Sequence, residues 1–184
     1  MTSTKIGVLF VLIVIAATME VRAQSTVSVP GNASGYFGNP VDQLVPFVPA
    51  ITVTGPGTIT VTYVSGTVDV GGGHVVGPIG LRNWPSAGNQ YPLLEAKGIV
   101  PQTADHVGGL IGVFVPAARV SSPGFTAIDG TKNAAPVGIM PGGLFFIGAG
   151  KTFAVKQAGT LFLGINETLV GDNSGSFTVT VTVQ

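Results

Sequence analysis

The sequence predicts an all-β protein, a sandwich of about eight strands. Two runs, Thr58-Ile59-Thr60-Val61-Thr62-Tyr63-Val64 and Ser176-Phe177-Thr178-Val179-Thr180-Val181-Thr182-Val183, alternate apolar and polar positions as half-buried strands do. The chain holds 28 Gly and 13 Pro with abundant Val and Thr, a composition that favours many short strands joined by tight turns over helices. No internal repeat is present.

The elements follow in chain order. Lys5, the apolar run Ile6 to Ala17 and the ending Val21-Arg22-Ala23 form the three parts of a secretory signal peptide. An apolar run of about 12 residues is too short to span a bilayer. Cleavage is expected after Ala23, leaving a chain that starts at Gln24; the competing reading is an uncleaved anchor. Later apolar runs are brief and interrupted, so no membrane span is expected. Residues 1–23 are thus assigned to the signal, 24–50 to an N-terminal arm or edge strand, and 51–184 to the sandwich domain.

Within 24–50, Thr26 to Val29 alternates and suits an edge strand. Ile51 to Thr54 reads as a strand, and Gly55-Pro56-Gly57 as a turn, because Pro fixes one dihedral and Gly permits a positive one. Gly66 is expected to end the strand that starts at Thr58. A Gly71-Gly72-Gly73 run and a Gly77-Pro78-Ile79-Gly80 turn come next. Leu81 to Asp105 reads as a long loop with one helical turn near Leu93 to Lys97, and Ala117 to Met140 is also loop-like. Strands are expected at Leu110 to Val115, Leu144 to Gly148, Lys151 to Val155 and Gly159 to Ile165.

Charge and cysteine exclude several functions. Without Lys5, Glu20 and Arg22 the chain keeps six basic against seven acidic groups. No basic stripe exists, so nucleic acid is not an expected partner. Cysteine is absent, so disulfides contribute nothing to a secreted fold that must rely on burial and on any metal it holds. Two histidines, His74 and His106, offer little for a catalytic zinc centre, and no Gly-x-Ser-x-Gly elbow occurs. The chain is therefore read as non-catalytic.

The chemistry that remains is concentrated near the C-terminus. Glu167, Asp172 and Asn173 offer side-chain oxygens within seven residues, in a glycine-punctuated loop between two strands. Calcium takes six to eight oxygen ligands, so this loop is the candidate metal site. Asp and Asn also stabilise turns by bonding their own backbone, and that plainer role stays open. Trp84, the single Trp, offers a flat face on which a sugar ring can stack, or it anchors its loop. Asn32-Ala33-Ser34 and Asn166-Glu167-Thr168 match the glycosylation acceptor pattern. A glycan on the second would obstruct the candidate loop.

The closing segment Gly164-Ile165-Asn166-Glu167, a short loop, then Asp172-Asn173-Ser174-Gly175-Ser176-Phe177, resembles the calcium-dependent, galactose-specific bacterial lectins of the PA-I type. Val64-Ser65-Gly66-Thr67-Val68, Gly77-Pro78-Ile79-Gly80 and Gly109-Leu110-Ile111-Gly112 extend the resemblance over about Ile51 to Val183. The resemblance implies a jelly-roll-like sandwich and non-catalytic binding of a galactose-type glycan through a bound calcium ion. It places side-chain ligands on Glu167, Asp172 and Asn173 and backbone carbonyl ligands on Val70 and Leu169. Sugar contacts would fall on Trp84, Asp172 and Glu167. The chain departs from the family pattern: Glu replaces Asp at 167, the loop before Asp172 is shorter, and Trp84-Pro85 stands where the family has His-Pro. The expected location is extracellular or periplasmic, with self-association left open. The alternative is a secreted structural or assembly protein that keeps the fold without binding sugar. Sparse charge, a mean hydropathy of +0.55 and alternating Thr/Val strands suit such packing.

Overall fold

The computed structural model describes residues 23–33, 47–82, 106–120, 145–167 and 170–184. Residues 1–22 of the expected signal segment 1–23, the helical turn expected near Leu93, most of the two long loops, Trp84 and Leu169 lie outside them. Among the described residues nine strands occur, in the order β1 (Ala23–Pro30), β2 (Val48–Val53), β3 (Gly57–Asp69), β4 (Val75–Val76), β5 (Leu110–Pro116), β6 (Phe145–Phe146), β7 (Gly150–Val155), β8 (Gly159–Ile165) and β9 (Ser174–Val183). One helical turn, α1 (Ala117–Val120), follows β5. No helix among the described residues is long and apolar enough to cross a membrane.

The strands form two antiparallel sheets around one core, the β-sandwich that the alternation predicts. One sheet runs β1-β9-β3-β4, with β7 also paired to β3; the other runs β2-β8-β5-β6. β9 is interior to the first sheet, bonded to β1 on one side and β3 on the other. Its alternation decides its faces: Phe177, Val179, Val181 and Val183 are buried, while Thr178, Thr180 and Thr182 face outward. β5 and β8 are apolar at almost every position, and both are buried on both faces. Ile59, Val61, Leu110, Leu161, Leu163, Ile165 and Phe177 from both sheets meet in the shared core.

One expectation needs correction. Gly66 does not end its strand: β3 continues to Asp69. A register shift lies between Tyr63 and Ser65, and Gly66 adopts φ of 100°, a left-handed conformation that glycine tolerates without a Cβ clash. The chain bends there and pairing resumes beyond, fastened by the Tyr63 hydroxyl donating to the Gly66 carbonyl at 2.7 Å. The segment 24–50, expected to be an arm or an edge strand, carries β1 at the end of its sheet order. Val27, Val29, Ala33 and Ala50 belong to the core, and β2 already starts at Val48.

Candidate functional site

The candidate loop is the crossing from one sheet to the other. β8 ends at Ile165 in the second sheet, and β9 begins at Ser174 in the first. Three further segments reach this end of the sandwich. Asp69, the last residue of β3, is opposite Ser174. The backbone N–H of Gly31, just past β1, donates to the Gly175 carbonyl at 2.9 Å. The turn 106–109 joins through Gly108 N–H to the Asn166 carbonyl at 3.0 Å, and Asn166 N–H returns a bond to the Gly109 carbonyl at 2.8 Å.

Glu167 is 1 % exposed, rare for a carboxylate. Burial pushes its carboxyl up from 4.5 to about 7, the nearby Asp172 charge pushes the same way, and a hydrogen bond from Asn173 opposes both. That bond runs from Asn173 Nδ2 to Glu167 Oε2 at 3.0 Å. The same amide nitrogen donates to the Gly31 carbonyl at 2.8 Å. With its two N–H groups so directed, the Asn173 amide turns its Oδ1 the other way, and that oxygen is buried without a hydrogen-bond partner. An orphaned buried carbonyl oxygen costs free energy unless something cationic or protic meets it.

Asp172 is exposed, and its carboxylate lies against the backbone of Gly71, the residue after Val70. Gly71 has φ of 90°, a conformation that favours glycine, and a Cβ there would push the Asp172 carboxylate aside. Asp69 Oδ1 accepts from the Gly71 N–H at 3.0 Å, fixing the start of the triple-glycine turn. Val70 N–H bonds to the His74 carbonyl at 3.1 Å, closing the same turn. Glu167 and Asn173 are therefore in contact, and Asp172 sits over the Val70–Gly71 segment. Leu169 and Trp84 lie outside the described residues.

Glu167, the expected contact for both sugar and metal, is 1 % exposed, and residues 168–169 beside it lie outside the described residues. Asn166, the first residue of the acceptor pattern, is 2 % exposed. Asn166 has a part that motif reading missed. Its Nδ2 donates to the His106 carbonyl at 3.0 Å, and its Oδ1 is a second buried oxygen without a partner. The signal available was its position next to Glu167 at a strand end. Asp69 and Gly31 could not have been found from spacing, because they reach the loop only through sheet pairing.

The donor set consists wholly of oxygens. Among the described residues no three His, Cys, Asp or Glu side chains cluster, so any ion here would have two carboxylates at most and would need amide and backbone oxygens besides. That set suits a hard cation and not a thiophilic one. The two histidines take other places. His74 is exposed in the glycine turn. His106 stacks on Phe146 with ring centroids 4.1 Å apart, and its Nδ1 lies 2.7 Å from the Ile79 carbonyl.

No family model and no curated protein matches the chain. A solved structure described as "EclA N-terminal domain; PllA-like lectin" aligns with a TM-score of 0.46 at 15% sequence identity, covering 87% of this chain and 96% of that one. A likeness of this degree does not bear on what the chain binds.

Proposed function

We propose that the protein is a secreted, non-catalytic carbohydrate-binding module whose loop between β8 and β9 holds a calcium ion. Glu167, Asp172 and Asn173 would offer side-chain oxygens and Val70 and Leu169 backbone carbonyls, and the ion would supply a positive centre for two neighbouring hydroxyls of a galactose-type glycan. The observation that carries the reading is the Asn173 amide: its oxygen is buried and orphaned while its nitrogen bonds the buried Glu167 carboxylate. A divalent cation would meet that oxygen and favour the ionised form of Glu167, whose charge burial now disfavours. Asp172, the exposed member, is the carboxylate placed to face a ligand from solution.

Thermal melting tests the metal. A ligand that binds only the folded state at a hundredfold over its Kd adds about 2.7 kcal/mol, which for a domain of this size is a rise of several degrees. The wild type should show that rise in millimolar calcium against EDTA, and Asp172→Ala should lose most of it. Superimposable wild-type curves with and without calcium would remove the metal from the reading. A glycan array run with calcium and with EDTA tests the sugar: calcium-dependent retention of galactose-type glycans is expected, and its absence would leave a metal-stabilised module without this ligand.

A further inference from the structure

Sheet edges expose unpaired N–H and C=O groups, and proteins protect them by brevity, charge, proline or bulges. Among the described residues, four of the five edge strands follow that rule. β4 and β6 are two residues long. β2 carries Pro49 and a register shift between Pro49 and Ile51. β7 carries the exposed Lys151. β1 follows none of these: its eight residues, Ala-Gln-Ser-Thr-Val-Ser-Val-Pro, contain no charge, and the single proline is the last residue. All eight pair without a break with β9, from Ala23↔Val183 to Pro30↔Ser176. Among the described residues no strand pairs with the opposite edge of β1.

We propose that β1 is a self-association edge: two copies of the chain pair β1 against β1, antiparallel about a two-fold axis at Val27, and join their sheets into one. The strand is complementary to itself in that register. Directly opposed residues in an antiparallel pair share a face. Val27 meets Val27 of the second copy, and Thr26 meets Ser28 of the second copy on the outer face, where both are exposed. On the core side Ser25 opposes Val29. No like charges oppose each other anywhere along the pair, and Pro30, which has no N–H to give, falls at its margin. A C2 dimer needs this kind of patch, one surface that complements itself. The joined sheet would extend the uncharged hydroxyl face that β9 and β3 carry through Thr178, Thr180, Thr182, Thr60 and Thr62. The partner is a second copy because the edge bonds through its backbone and its residues complement themselves in this register.

Sedimentation equilibrium of the purified protein, from micromolar to near-millimolar concentration, tests this. The weight-average mass of the wild type should climb toward twice the monomer mass. Thr26→Lys/Ser28→Lys puts four ammonium groups across the two-fold axis and should stay monomeric at all concentrations. Thr26→Lys/Ser28→Glu puts an ammonium opposite a carboxylate on each side of the axis and should restore the dimer in low salt. Both positions are exposed, and melting curves check that each variant folds. A wild type that stays monomeric throughout, or a dimer that the double-lysine variant leaves intact, overturns the proposal; a dimer lost in both variants overturns the register on which it rests.

Discussion

Glu167 and Asn173 show how one buried pair of side chains can tie protonation to stability. Because burial raises the Glu167 carboxyl from 4.5 to about 7, the folded protein holds a proton there more tightly than the unfolded chain does. Its contribution to stability is fully present below the unfolded value and is lost as pH rises through about 7. In EDTA the melting temperature of the wild type should therefore fall between pH 5 and pH 8, and Glu167→Gln, neutral at every pH, should flatten that slope. Calcium bound as proposed would act in the opposite sense. It would favour the carboxylate, so the stabilisation it gives should grow across the same interval and be largely absent in Glu167→Gln. A slope unchanged by Glu167→Gln would mean that another group dominates the titration. Gly71 is constrained as tightly: Gly71→Ala forces a methyl into the Asp172 carboxylate at a positive φ. It should cost about 1–3 kcal/mol by denaturant melting. It should also remove the calcium response by displacing Asp172.

At the scale of elements, the sharpest feature is the irregularity in β3. The shift between Tyr63 and Ser65 and the left-handed Gly66 let one strand pair with β7 at its start, with β9 along its length and with β4 at its end. A methyl at position 66 would press on the Ser176 carbonyl. Gly66→Ala should therefore destabilise by about 1–3 kcal/mol, read as a lower urea midpoint with little change in slope. Because Asp69 and Gly71 lie downstream of the bend, the same variant should also weaken any calcium response. A variant as stable as the wild type would show that the bend relaxes freely. The alternation of β3 was legible in sequence, yet its continuation past Gly66 was not. Glycine both ends strands and bends them, and the choice depends on whether β9 offers partners beyond the bend.

Across the whole molecule, stability rests on the seam between the sheets. Phe177 from β9 is fully buried in the core that the two sheets share, and it meets Tyr63 of the neighbouring β3 in its own sheet edge-on, with ring centroids 6.1 Å apart. Phe177→Ala should cost about 3–5 kcal/mol, and at a few degrees per kcal/mol the melting temperature should drop by on the order of 10 °C. A drop of only a degree or two would mean that the seam repacks around the missing ring. The sandwich also fixes the candidate site, since its segments follow β1, β3 and β8 and precede β9, and only closure of the two sheets brings those ends together.

The sequence by itself determined the class of fold, the strands with period-two alternation and the apolar strands β5 and β8. Those signals are local, because a strand's faces follow from neighbouring residues alone. It also marked Glu167, Asp172 and Asn173 as a concentration of oxygen donors. Only the tertiary structure decided that Glu167 is buried while Asp172 is exposed, and that Asn173 spends its nitrogen on Glu167 and Gly31. Spacing in sequence carries no information about burial or about contacts with residues more than a hundred positions away, such as Gly31. The place of β1 at the border of its sheet among the described residues belongs to the same category: its composition was readable, but which strand stands at a border is set by the pairing order.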